Sequence, residues 1–151
     1  MTHIRDLAPY DYYPGAPEAF AVGWLDISEP FTTGRCPGDV RRRLAQLANH
    51  PVRLMRGYHY CQFCKAEPLQ PLREGRRLYE APDVPRGSGE IWLTSPDGLN
   101  FAAPVLIAHY VDAHEYMPPK VFIEAIRRGT PTQISPSQAH SHGAGSAVVP
   151  M

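Results

Sequence analysis

Residues 57–64, Gly57-Tyr58-His59-Tyr60-Cys61-Gln62-Phe63-Cys64, place two of the chain's three cysteines in C-x-x-C spacing. A tight turn between two such cysteines lets both sulfurs reach one ion, and bound zinc lowers thiol pKa enough to hold thiolates at neutral pH. A redox pair would sit where a strand gives way to a helix. Here aromatic Tyr60 and Phe63 surround the cysteines and no clear helix follows, so the pair reads as half of a metal site. Val52, Leu54 and Tyr58 suggest a strand running into it.

The other half is offered by His109-Tyr110-Val111-Asp112-Ala113-His114, whose H-x4-H spacing lies within the range used by sites of two cysteines and two histidines. On a regular helix, at ~100° per residue, these histidines stand about 140° apart, so both face one ion only if the last turn tightens or unwinds. Pro118 shortly afterwards favours such an ending. The expectation is one structural zinc ion held by Cys61, Cys64, His109 and His114, with four protein ligands leaving no position for a catalytic water. His59 is the substitute ligand, and His109 has the alternative of a core histidine bonded to a carbonyl. Cys36 reads as a small buried hydrophobe, and His140 and His142 as solvent-exposed.

Working outward, Ala19-Phe20-Ala21-Val22-Gly23-Trp24 alternates in the period of a half-buried strand. Pro37 opens a helix with Val40, Leu44, Leu47 and Ala48 on one face and Arg41, Arg42 and Arg43 on the other, stopped by His50-Pro51. Gly89 to Pro104 gives two strands around the turn Ser95-Pro96-Asp97-Gly98. Pro104 suits the first position of a second helix reaching to about His114, and Pro119 that of a third, which buries Val121, Phe122, Ala125 and Ile126 and stops at Gly129. The expected fold class is α+β, a small antiparallel sheet with about three helices stapled by zinc. Residues 1–18, rich in Pro and Tyr, read as an extended arm, 19–129 as one domain with a polar excursion at 65–88, and 130–151 as a disordered tail.

The order of strand, cysteine turn, hairpin and helix from Tyr58 to Tyr116 resembles zinc-finger and treble-clef architecture, although 44 residues separate Cys64 from His109. The strings GYHYCQFC and AAPVLIAHYVDAHEYMPPKVFIEAI are also similar to motifs of small bacterial proteins of uncharacterised function, as a GYHxCxxC and HYxxxHxYxPP pattern. That resemblance implies no mechanism.

Fifteen basic residues balance fifteen acidic ones in the 151-residue chain, which argues against a dedicated binder of nucleic acid or anionic membrane. No secretory signal and no apolar run of membrane-spanning length is visible, so the expected location is the cytoplasm. The reading favours a non-catalytic interaction or adaptor module whose partner is another protein, the arm tyrosines Tyr10, Tyr12 and Tyr13 or the 65–88 excursion supplying its surface; packing on their own core is the equal alternative for the arm aromatics. One alternative is a zinc hydrolase with an open coordination position and Glu115 or Asp112 as general base. The other is a nucleic-acid-binding zinc module using Arg41 to Arg43 with Arg73, Arg76 and Arg77. The balance leans against an enzyme.

Overall fold

The computed structural model describes residues 3–11, 15–53, 59–64 and 85–133. Its strands in chain order are β1 (Phe20–Ala21), β2 (His59–Tyr60), β3 (Arg86–Gly87), β4 (Glu90–Thr94), β5 (Asn100–Pro104) and β6 (Thr130–Pro131), and its helices are α1 (Gly38–Ala48), α2 (Ile107–Ala113) and α3 (Lys120–Arg128). The class is α+β, as the sequence pattern implies.

The hairpin is the centre of the molecule. Strands β4 and β5 pair antiparallel, Trp92 opposite Ala102, and Gly98 turns the chain at a φ of 89° while donating to the Ser95 carbonyl at 2.9 Å. Strand β1 runs parallel to β5 and β6 antiparallel to β4, giving the order β1-β5-β4-β6, so the main sheet is mixed; β2 and β3 form a separate antiparallel ribbon. Period-two alternation divides the hairpin between two cores. Ile91, Leu93, Phe101 and Ala103 pack with Val40 and Leu44 of α1, Ile107, Tyr110 and Val111 of α2, and Phe122, Ala125 and Ile126 of α3. Trp92 and Ala102 point the other way, into a second cluster with Tyr10, Ala19, Ala21 and Trp24.

Several expectations change in the structure. The strand expected through Trp24 lasts two residues, because Gly23 adopts a φ of 81° and approaches α2 so closely that a Cβ there would lie 2.7 Å from Ile107 Cδ1. Residues 21–25 are all buried, since the sheet is covered on both faces. Pro104 does not open α2; it ends β5 opposite Glu90, and the helix begins after Val105 and Leu106. Val121 is 47% exposed on α3. Gly129 ends α3 in an extended conformation, and it is glycine because a Cβ would meet the Thr94 carbonyl oxygen at 2.4 Å. Thr130 and Pro131, placed by the sequence in the tail, extend the sheet, and Thr132 donates to the Trp92 carbonyl at 3.1 Å.

Residues 3–11 of the N-terminal segment lie against the sheet, and Tyr10 is turned into the core rather than offered to a partner. Ile4 bridges Trp24, Pro9 bridges Phe20, and Tyr10 is buried, stacked on Trp24 with centroids 5.2 Å apart. Its hydroxyl donates to Glu90, whose other carboxylate oxygen accepts from Trp92 Nε1 at 2.8 Å. Two donors thus offset the cost of burying that carboxylate. Tyr12 and Tyr13, Leu54 and Tyr58, residues 65–84 of the 65–88 excursion and residues 134–151 of the tail lie outside the described residues, while Arg86 and Gly87, within the expected excursion, form β3.

Candidate metal centre

Strand β2 delivers the cysteine turn. Tyr60 pairs with Arg86, the Cys61 amide donates to the Pro85 carbonyl at 2.9 Å, and the chain turns through Gln62, Phe63 and Cys64. Two side chains fasten this turn to the domain. Gln62 Oε1 accepts the Ile27 amide at 2.8 Å, and Phe63 wedges among Phe31, Tyr110 and the His114 ring, with centroids 5.4, 5.8 and 5.3 Å away. Cys61 is buried at 0% exposure and Cys64 is exposed.

The histidines come from α2, and the angular conflict between them is resolved at its end. His109 stands within the helix, while His114 is the C-cap residue, with φ −120° and ψ 11°. Glu115 then takes a left-handed φ of 55°, and the Tyr110 carbonyl accepts both the His114 amide at 3.0 Å and the Tyr116 amide at 3.2 Å. The exit is pinned from outside. Gly34 donates to the Glu115 carbonyl and Met117 to the Thr32 carbonyl, each at 2.9 Å. Buried Tyr116 donates to Asp6 Oδ2 at 2.7 Å, and Asp6 Oδ1 accepts the Gly23 amide at 3.0 Å. With the last turn opened in this way, the two imidazoles lie edge to face, centroids 4.9 Å apart.

Cys61, Cys64, His109 and His114 therefore converge, their ligand atoms all within 4.8 Å of one another. His114 Nε2 lies 3.4 Å from Cys61 Sγ, 3.5 Å from Cys64 Sγ and 3.2 Å from His109 Nε2, and His109 Nε2 lies 3.3 Å from Cys64 Sγ. A ring nitrogen carries either one N–H or one lone pair in the ring plane, so three simultaneous hydrogen bonds from His114 Nε2 are not available to it. One lone pair aimed at a common centre accounts for all three distances. Zinc bonds of about 2.3 Å to sulfur and about 2.05 Å to nitrogen, set tetrahedrally, place sulfur and nitrogen about 3.5 Å apart and two nitrogens about 3.3 Å apart. The donor set fits a tetrahedral S2N2 ion.

The electrostatics suit a cation. Burial holds both imidazoles below their ordinary pKa, with His114 adding to the effect on His109 and Asp112 opposing it, so the neutral, ligating form prevails at neutral pH. Burial pushes the Cys61 thiol up to about 11, so a thiolate there requires a positive partner. Among the described residues no carboxylate joins the group, and His59, half-buried on β2, is not part of it either. Asp112 is instead paired with Arg41 at 3.2 Å, and Cys36 is buried with its sulfur 3.9 Å from Met117 Sδ. Arg41 also donates to the Cys36 carbonyl at 3.2 Å, so one arginine of the run at 41–43 is committed within the fold. The residues that position the site but escaped sequence reasoning are Phe31, Asp6 and the strand-like segment Thr32 to Gly34. They lie far from the ligands along the chain and carry no local signature.

A family model described as Domain of unknown function (DUF7919) matches residues 2–127. The chain belongs to that family. The match takes in all four residues of the cluster, so the candidate metal site lies within the DUF7919 domain rather than in an appendage to it. Neither a curated protein nor a solved structure matches the DUF7919 chain, and the treble-clef resemblance accordingly rests on the order of cysteine turn, hairpin and helix alone. Among the described residues, no helix of the DUF7919 domain is long and apolar enough to cross a membrane.

Proposed function

We propose that this domain is stapled by one structural zinc ion held by Cys61, Cys64, His109 and His114, and that it serves as a non-catalytic module that binds another protein. The observation that carries the metal reading is the meeting of Cys61, Cys64 and His109 at the Nε2 of His114, at separations that match the edges of a zinc tetrahedron. Four protein ligands close the coordination shell, and Asp112, one of the two bases the hydrolase alternative would use, is paired with Arg41. Balanced charge and the engagement of Arg41 favour a protein partner over nucleic acid.

Metal analysis of the purified chain tests the staple. One zinc per chain is expected, lost in Cys61→Ser, Cys64→Ser, His109→Ala and His114→Ala, with thermal melting lowered in each because zinc-binding energy is part of folding energy. Full zinc in the His114→Ala chain would show a three-ligand site and reopen the hydrolase alternative. Salt-dependent retention on DNA or RNA would turn the partner assignment to nucleic acid.

A further inference from the structure

We propose that Cys64 is a modification site for hydroperoxides and that Cys61 resolves it, so that oxidation closes a Cys61–Cys64 disulfide and frees the ion; this rests on the four-ligand reading above. The cluster is asymmetric towards solvent. Cys61 is at 0% exposure and both histidines are half-buried, whereas Cys64 is exposed. An oxidant from solution therefore meets the Cys64 sulfur first, and a thiolate is the form it attacks. The second sulfur needed to close the reaction is already at hand, since the Cys61 and Cys64 sulfurs lie within 4.8 Å on one turn, and a disulfide asks them to close to about 2.05 Å. Cys36 stands outside the group, buried against Met117.

The chemistry balances. The Cys64 thiolate attacks one peroxide oxygen, the O–O bond breaks, and the departing oxygen leaves as hydroxide (or alkoxide, from an alkyl hydroperoxide), giving a sulfenic acid. The Cys61 thiolate then attacks the Cys64 sulfur, the S–O bond breaks, and a second hydroxide leaves as the S–S bond forms. Two thiolates lose two electrons in all, and the peroxide takes them up. Disulfide sulfurs no longer offer the anionic pair the ion needs, and two imidazoles alone leave the shell half empty. The cysteine turn is then held to the domain by the Gln62 contact, the Pro85 hydrogen bond and Phe63.

The test uses the full-length Cys36→Ser chain reconstituted with zinc, treated with hydrogen peroxide in the presence of a chromogenic chelator and followed by intact and peptide mass. The expected result is release of the whole zinc equivalent, with the peptide spanning residues 57–65 about 2 Da lighter, and recovery of both on adding a dithiol and zinc. The Cys64→Ser chain should show no such mass loss. Zinc retained under excess peroxide would overturn the proposal and leave the staple standing, as would zinc release accompanied by oxygen added to Cys64 without a disulfide. A chain that takes up no zinc before treatment would overturn both.

Discussion

At His114 the backbone leaves the helix, and the residue after it bears the cost. Glu115 holds a left-handed φ of 55°, a region that disfavours side chains with a Cβ by about 1–2 kcal/mol. A glycine there relieves that strain but gives the unfolded chain more freedom, so Glu115→Gly should stabilise the domain slightly, by about 0.5–1 kcal/mol, with zinc content unchanged. Denaturant unfolding of the metal-loaded chain measures it. A clear loss of stability would mean that the Glu115 side chain, and not only its backbone, fixes the exit of His114. The four clustered residues are themselves legible in the sequence, because C-x-x-C and H-x4-H are local spacings. The opening of the last helical turn follows from the same spacing, as a geometric necessity. Its supports, Asp6 under Tyr116 and Thr32 to Gly34 alongside, come from distant sequence and leave no periodic trace.

Between elements, α1 packs on both α2 and α3, and each contact has an ion pair at its rim: Arg41 with Asp112, and Arg127 with Asp39 at 2.9 Å. The hydrogen bond from Arg127 holds the Asp39 carboxyl below its ordinary pKa. A depressed folded pKa means that the pair contributes stability above the unfolded carboxylate value of about 3.9 and loses it as the pH falls through the folded value. Asp39→Asn should therefore lower stability at neutral pH and flatten its decline below about pH 4, seen in melts across that range. An unaltered acid limb would show that the pair is too exposed to matter, as many surface pairs are. Hairpin and helices are read correctly from sequence wherever turn chemistry and apolar spacing agree, as at Ser95 to Gly98 and on α1. They are misread where a tertiary contact overrides local preference. Pro104 suits a helix start but is kept in the sheet by its register opposite Glu90, and Gly23 cuts a promising strand short to let α2 approach.

Over the whole molecule, the proposed ion would tie the β2–β3 ribbon to the end of α2, while the hairpin and α3 are held mainly by apolar burial, in a core to which the ligand cluster contributes Cys61. Removing the metal with a chelator should therefore raise amide exchange at Cys61 and at the end of α2 by about tenfold or more, while β4 and β5 keep most of their protection. Uniform deprotection would instead make the ion a condition of the entire fold. The sequence does not reveal the second core, because an amphipathic strand pattern says which residues are apolar without saying that both faces are covered, and Tyr10 in a prolyl segment fits partner surface and core equally until Trp24 and Glu90 are seen beside it.

That second core also governs what can be seen by light. Both tryptophans of the chain, Trp24 and Trp92, lie in it, on the face of the sheet turned away from α1, α2 and α3. Their emission is a gauge of that second core, whereas Phe63, beside the His114 ring, and its neighbours Tyr110 and Phe31 offer no strong fluorophore near the proposed ion. A melting curve followed by tryptophan alone would record a single event even if the metal centre had opened many degrees earlier.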